Sequence, residues 1–372
     1  MRIVIVGGGV LGTMHALAAV RRGHEVLHLE REAEARGASV RNFGLVWVGG
    51  RAAGPELATA LRARELWERI GAEVPGVGFR ANGSLTVVRT DAELAVARET
   101  AARPDAAERG LKLLDRSEVR ALNPALRGDL LGGLWCERDA AVEPRGTLPA
   151  LRAHLAATGR YTWLPGREAR GLRGAAVRDD RGGEHAGDLV VLCPGAWLSG
   201  LVGELVPELP VRRVRLQMMQ TAPLDEPLTT SVADADSFRY YPAYRGAALD
   251  ALAAAQPQEA VAAEHAMQLL MVQRADGELT IGDTHEYDEP FAFDVDERPY
   301  EHLRAVAEDL LGRPLPPVRR RWAGVYAQCA DPSQVVNRAR IGDAAVLVTG
   351  PGGRGMTCSP AIAEQTAKEL AL

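Results

Sequence analysis

Two hydrophobic periods organise this chain. Ile3 to Val6 is a β-branched run suited to a buried parallel strand, a helical pattern follows from about Gly9 to Arg22, and Val26 to Glu30 makes a second strand. Together they form a βαβ unit. Asp188 to Leu192 and Ala345 to Thr349 repeat the buried-strand pattern, each leading into a glycine-bearing turn. Val211 to Met219 alternates polar and apolar positions, and Gln268 to Gln273 with Glu278 to Gly282 flank an Asp276-Gly277 turn as a hairpin would. The alanine-rich stretch from Ala92 to Ala107 reads as a solvated helix interrupted near Pro104. Ser359 and Pro360 read as the N-cap and first residue of a last helix reaching about Leu370.

The turn inside the βαβ unit reads Gly7-x-Gly9-x-x-Gly12. Gly7 allows the tight turn, Gly9 lets backbone approach a pyrophosphate, and Gly12 lets the helix pack on the strand. Glu30 closes the second strand, where a carboxylate accepts from a ribose hydroxyl and repels a 2′-phosphate. Strand, turn, helix and acid together predict a dinucleotide site; the motif alone does not separate FAD from NAD. Near the other end, Gly350-Pro351-Gly352-Gly353-Arg354-Gly355 precedes the last helix, whose N-terminus favours an anion.

Composition narrows the class. A length of 372 residues suits two domains or one large interrupted one, and 47% hydrophobic with 25% charged residues is globular. A net charge of −5 supplies no general basic field, which argues against a nucleic-acid partner. Only Lys112 and Lys368 are lysines among 44 basic residues, so cationic sites must be built from guanidinia. Cys136, Cys193, Cys329 and Cys358 have neither metal-ligand spacing nor disulfide density, which points to a reduced cytoplasmic compartment. Ile3 to Val20 with Arg2 imitates a signal peptide, but Gly7, Gly8, Gly9 and Gly12 break it, and no other stretch is apolar enough for a membrane.

Gly7-Gly8-Gly9-Val10-Leu11-Gly12, Glu30-Arg31, Ser39 to Gly44, Cys193-Pro194-Gly195-Ala196-Trp197 and the closing Gly-Pro-Gly-Gly-Arg-Gly-Met loop resemble the D-amino-acid oxidase superfamily of FAD enzymes, relatives of glycine oxidase and monomeric sarcosine oxidase. The resemblance covers the chain from residue 3 to the last helix. The segments Arg41 to Trp47, Gln273 to Gly277, Gly282 to Tyr287 and Trp322 to Tyr326 are similar to a narrower clade associated with phosphonate metabolism. The fold implied is α/β: a discontinuous Rossmann-like FAD-binding domain (1–78, 142–212 and 322–372) with a substrate domain (79–141 and 213–321) carrying a mixed or antiparallel sheet. The implied activity is oxidation of a small anionic amine, an aminophosphonate such as 2-aminoethylphosphonate or its N-methyl derivative, with oxygen as acceptor. Glycine- or sarcosine-type amino acids, or a flavin subunit that needs a redox partner, are the alternatives.

The resemblance places the cofactor on Gly7, Gly9, Val10, Leu11, Gly12, Glu30, Arg31, Ser39, Arg41, Asn42, Phe43, Gly44, Gly195, Trp197, Gly352, Gly353, Arg354, Gly355, Met356 and Thr357. Sarcosine oxidases attach FAD through a cysteine two residues ahead of a tyrosine; Gly324 stands there, ahead of Tyr326, which implies non-covalent FAD. Neither lysine matches the one that assists oxygen reduction in those relatives. Among side chains suited to a charged amine, Arg239, Tyr240, Tyr241 and Tyr244 offer a guanidinium with phenols. Arg239 and Arg354 are expected to orient the anion, with Tyr241 and His285 completing the catalytic set. Arg321 and Tyr326 flank the closing loop, while Arg319 and Arg320 read as a solvated basic run.

Overall fold

Strand Arg2–Val6 lies inside the first of two large sheets. The computed structural model describes residues 1–372. The first sheet runs Asn337–Ile341, Ala345–Thr349, Leu189–Leu192, Arg2–Val6, Glu25–Glu30, Tyr161–Pro165, parallel throughout except for the antiparallel pair at the first edge. Both faces are covered. Ile3, Ile5, Val26 and Val191 point into one apolar cluster with Met14 and Leu17 of helix Val10–Arg21 and Ile362 of helix Gly355–Glu369. Val4, Leu29, Val190 and Leu347 point into a second, under Val177 and Val202. A strand buried on both faces is apolar at every position, which is why these runs carry no alternation.

The second sheet has eight strands in the order Val318–Cys329, Val211–Pro223, Glu278–Gly282, Leu270–Gln273, Ser231–Ala233, Ser84–Val88, Gly132–Cys136, Leu111–Asp115. All its pairings are antiparallel except Ser231–Ala233 with Ser84–Val88. The expected hairpin is present, with Gly277 at φ +84° in its turn. The expected boundaries at 212/213 and 321/322 fall inside strands Val211–Pro223 and Val318–Cys329, which pair along nearly their whole length. On that pairing we propose that both strands belong whole to the substrate unit. No helix is long and apolar enough to cross a membrane.

Two local expectations are corrected. The Ala92–Ala107 stretch does break, into helices Asp91–Ala101 and Ala106–Arg109, but the first is not simply solvated: Val96, Ala97 and Thr100 are buried. The last helix begins at Gly355, so Ser359 is not its N-cap and Pro360 lies inside it. Proline there leaves the Met356 carbonyl without its helical donor. Trp67 Nε1 donates to that carbonyl at 3.0 Å and Ser359 Oγ at 3.4 Å, so the vacancy is filled from helix Pro55–Glu73. The helix N-terminus therefore coincides with the glycine loop itself.

Candidate active site

A cavity of about 860 Å³ opens between the two sheets. At one end is the glycine turn. A Cβ on Gly7 would meet the Cys193 carbonyl oxygen at 2.1 Å, and one on Gly12 would meet the Gly7 oxygen at 1.9 Å, so both glycines are dictated by backbone packing. Gly9 differs: its Cβ position meets only Ser39 Oγ, at 3.1 Å, and looks into the cavity. The turn is held from behind by His28, whose Nε2 donates to the Gly7 carbonyl at 2.9 Å while Nδ1 accepts from Tyr161. Burial lowers this imidazole to about pKa 4, so it stays neutral. Ser39 Oγ accepts from Val10 N–H at 2.9 Å, and the Glu30 carboxylate accepts from Gly8 N–H at 2.6 Å and Glu32 N–H at 3.0 Å. Beyond them Arg31 lies over the Trp197 ring at 4.2 Å. Nine arginines and five carboxylates line the cavity. Open space at Gly9, a helix N-terminus, an acid at the strand end and surplus guanidinium charge fit a dinucleotide with an anionic pyrophosphate.

The closing loop Gly352, Gly353, Gly355, Met356 and Thr357 lines the same cavity. Arg354, between them, is buried and committed: it donates to Glu56 at 3.2 Å and to the carbonyls of Pro351, Pro332 and Gln334. Arg51 approaches the other oxygen of Glu56 at 3.8 Å, and is also buried. Its Nε donates to the Trp47 carbonyl at 2.9 Å, and its Nη2 reaches Thr357 Oγ1 at 3.4 Å. Two buried guanidinia thus share one carboxylate. The loop that carries Arg51 is clamped from below, where Asp139 accepts from Val48 and Gly49 N–H and Arg109 donates to the Gly49 and Arg51 carbonyls.

On the far side of Arg51 stands Tyr241, its ring stacked on Trp47 with centroids 5.4 Å apart and its hydroxyl near Gln268 Nε2 at 3.3 Å. Behind it lie Asp283, His285, Tyr240, Tyr287 and Tyr326. His285 stacks on Tyr240 at 4.2 Å, and its Nδ1 faces the Ala266 carbonyl at 3.0 Å. Only the Nδ1–H tautomer makes that bond, so Nε2 is a lone pair, 3.8 Å from Asp283. Burial lowers His285 to about 4 and raises Asp283 to about 8, so the pair stands uncharged between those values. Trp47 Nε1, Gln268 Oε1, Asp283 Oδ1 and Tyr326 Oη are buried without a hydrogen-bond partner. In a finished core such groups are rare; in a cavity wall they are available to a ligand.

The family described as DAO, FAD dependent oxidoreductase, matches residues 2–369. The chain belongs to that family. Among solved structures the fold is similar to glycine oxidase from Geobacillus kaustophilus (TM-score 0.77, 20% identity, 99% of this chain and 94% of that one). It is also similar to L-proline dehydrogenase from P. horikoshii (TM-score 0.79, 19% identity, 99% and 92%). One of the opine oxidase subunits of Rhizobium meliloti is 28% identical over 171 residues, 41% of this chain and 44% of that protein, so the match spans less than half of that relative.

With FAD as the family's cofactor, the expected contacts sort by geometry. Gly7, Gly9, Val10, Leu11, Glu30, Arg31, Ser39, Arg41, Asn42, Phe43, Gly195, Trp197, Gly352, Gly353, Arg354, Gly355, Met356 and Thr357 all line the DAO-family cavity. Gly12 and Gly44 do not: Gly12 packs on Gly7, and a Cβ on Gly44 would meet the Val142 oxygen at 2.1 Å. Of the expected catalytic set, His285 and Tyr241 face the cavity. Arg239 does not, because its Nε pairs with Asp236 three residues earlier at 2.9 Å and its Nη2 donates to the Gln256 carbonyl. Arg354 reaches the cavity but its donors are already occupied. Tyr244 packs edge-on against Phe238, and Arg321 pairs with Glu297 outside the site. Arg51, Trp47, Gln268 and Asp283 were missing from the expectation. Asp283 sits two positions before His285 in a segment already singled out, and that proximity was the available signal.

Two outcomes follow from this geometry. Gly9→Val should give a folded protein that lacks FAD, whereas Gly12→Val should fail to fold stably; flavin absorbance per mole of protein and a thermal melt separate the two. For Asp283, the folded protein holds a proton between about pH 4 and pH 8 that the unfolded chain releases, so this residue costs stability increasingly as pH rises through that window. Asp283→Asn should therefore melt above wild type at pH 8, with the gain shrinking towards pH 5. A lower melting temperature at pH 8 would mean that the carboxylate is ionised and paired.

Proposed function

We propose that the protein oxidises the carbon–nitrogen bond of a small anionic amine, an aminophosphonate such as 2-aminoethylphosphonate or its N-methyl derivative, with oxygen as electron acceptor. The observation that carries this reading is the buried pair Arg51 and Arg354 sharing only Glu56, which leaves one positive charge uncompensated at the cavity wall. Uncompensated buried cations are costly unless an anion completes them. Arg354 is committed to the protein, so Arg51 is the guanidinium that meets the substrate. A phosphonate presents three acceptor oxygens, which suits a wall with donors to spare.

FAD, when bound, supplies a two-electron acceptor for the hydrogen on the carbon next to nitrogen. The protein's part is to position and desolvate. The guanidinium holds the anionic end, the Tyr241 and Trp47 rings exclude water, and the tyrosine-lined floor shapes the space for the carbon chain. The resulting imine hydrolyses to an aldehyde and an amine. No lysine lines the cavity, so any cationic help to oxygen there comes from arginine. An amino-acid substrate is the second reading, supported by the fold likeness to glycine oxidase and L-proline dehydrogenase. A requirement for a redox partner would fit the partial likeness to one component of an opine oxidase.

Gly324 stands beside Arg41 Cβ with no cysteine there, which supports non-covalent FAD. Acid precipitation should therefore move the yellow colour into the supernatant; colour retained in the pellet would mean a covalent link. Substrate alone should bleach the flavin anaerobically, and a panel of aminophosphonates and N-methyl amino acids tells the two readings apart. Arg51→Met should raise the half-saturating concentration in that assay roughly ten- to a hundredfold with FAD content unchanged, as expected for losing one charge-assisted contact of about 1.5–3 kcal/mol. Arg320→Met, on the exposed run paired with Glu278 and Gln220, is the control. Equal half-saturation for Arg51→Met and wild type would remove Arg51 from the site.

A further inference from the structure

The polar groups around Tyr241 differ from one side of its ring to the other. On one side is the Arg51 guanidinium, whose centre lies 6.0 Å from the ring centroid. At the hydroxyl end are the acceptors Gln268 Oε1, Asp283 Oδ1 and the Nε2 lone pair of His285, with the unpartnered Tyr326 hydroxyl close to Asp283. The backbone holds the acceptors together, since Asp283 N–H donates to the Gln268 carbonyl at 3.0 Å across the hairpin. The Tyr241 ring therefore stands between a guanidinium and a group of acceptors. A zwitterion of a few heavy atoms has this pattern in reverse.

We propose that Asp283, with Gln268 and His285, is the subsite that takes the substrate's cationic nitrogen and accepts its proton, so that the substrate is a zwitterion held anion to Arg51 and ammonium to Asp283. This rests on the anionic-amine reading above and adds what that reading lacks, a group that recognises nitrogen. The proton step is balanced within the pair: the N–H bond of the ammonium breaks, an O–H bond forms on Asp283, and the nitrogen is left neutral with the lone pair that C–H oxidation needs. The groups facing Asp283 are His285 and Tyr287 from its own segment, Tyr240 and Tyr241 from the helix and turn opposite, Tyr326 from strand Val318–Cys329, and Gln268. None is a cation, since burial keeps His285 neutral down to about pH 4. The incoming ammonium is therefore the first positive charge this carboxyl meets. With Asp283 raised to about 8 by burial, ammonium binding at pH 7 ejects the carboxyl proton to solvent, and the tightened affinity for protons once the nitrogen is neutral returns it to the acid form.

The test uses reduced holoenzyme under argon, which binds ligands without turning them over, titrated calorimetrically with 2-aminoethylphosphonate against ethylphosphonate and with glycine against acetate. In wild type, the nitrogen-bearing member of at least one pair should bind at least tenfold tighter than its nitrogen-free partner, and at pH 7 it should release close to one proton, read by repeating the titration in two buffers of different ionisation enthalpy. Asp283→Asn should abolish both the tenfold preference and the proton release while leaving binding of the nitrogen-free anion and FAD content at wild-type values. Asp283→Glu should recover part of the preference. If Asp283→Asn keeps the preference and the proton release, or weakens both members of a pair alike, this inference is wrong although the anionic-amine reading stands. Wild-type protein that binds none of the four probes overturns that reading and the nitrogen subsite together.

Discussion

One buried carboxylate, Glu56, lies between the guanidinia of Arg354 at 3.2 Å and Arg51 at 3.8 Å. Glu56 opens the helix Pro55–Glu73, which also supplies Trp67 to the carbonyl that Pro360 leaves without a donor. The start of the chain and its last helix are thus joined by an ion pair at one level and an indole hydrogen bond at another. Without Glu56, two desolvated cations would face each other across the closing loop, an arrangement whose cost runs to about 3–5 kcal/mol where a buried pair is broken. Arg354 spends its donors on Glu56 and three carbonyls, whereas Arg51 only approaches the same carboxylate and bonds the Trp47 carbonyl and Thr357.

The placement of Arg51 depends on a second layer. Asp139 and Arg109 hold both the N–H and C=O groups of the Val48 to Arg51 loop, and Asp139 is itself held by Ser84 Oγ of the eight-stranded sheet at 2.6 Å. The loop is therefore tied to the sheet that carries Asp283 and Tyr326, while Thr357 ties it to the dinucleotide side by accepting from Trp47 N–H at 2.9 Å. Rigid attachment to both sheets is what lets a guanidinium, a phenol and a carboxyl from distant parts of the chain keep a fixed spacing. The cavity is the gap that remains once those attachments are made.

How much was legible depended on how local each contact is. Gly7, Gly9, Gly12 and Glu30 lie within one continuous βαβ unit, so their spacing alone specifies the turn and the strand end. The central parallel strands Arg2–Val6, Leu189–Leu192 and Ala345–Thr349 were readable because burial on both faces leaves them nearly continuous apolar runs. Arg239 misled because its neighbourhood of tyrosines resembles a binding cluster, yet Asp236, three residues before it on a short helix, already claims its guanidinium.

Short-range geometry thus carried what could be read from the residues alone: the βαβ unit, the glycine turn, the buried runs at Asp188–Leu192 and Ala345–Thr349, the hairpin at Asp276-Gly277 and the dinucleotide site they imply. How each arginine is paired, and which acids burial raises, was decided only by long-range packing. Arg51 carries no local mark that separates it from the other arginines, since its pairing depends on a carboxylate shared with Arg354 near the opposite end of the chain. Asp283 is likewise an ordinary acid until the tyrosines of three separate segments exclude water from it. Desolvation and charge balance are sums over everything that surrounds a group, and those surroundings exist only after the chain has closed.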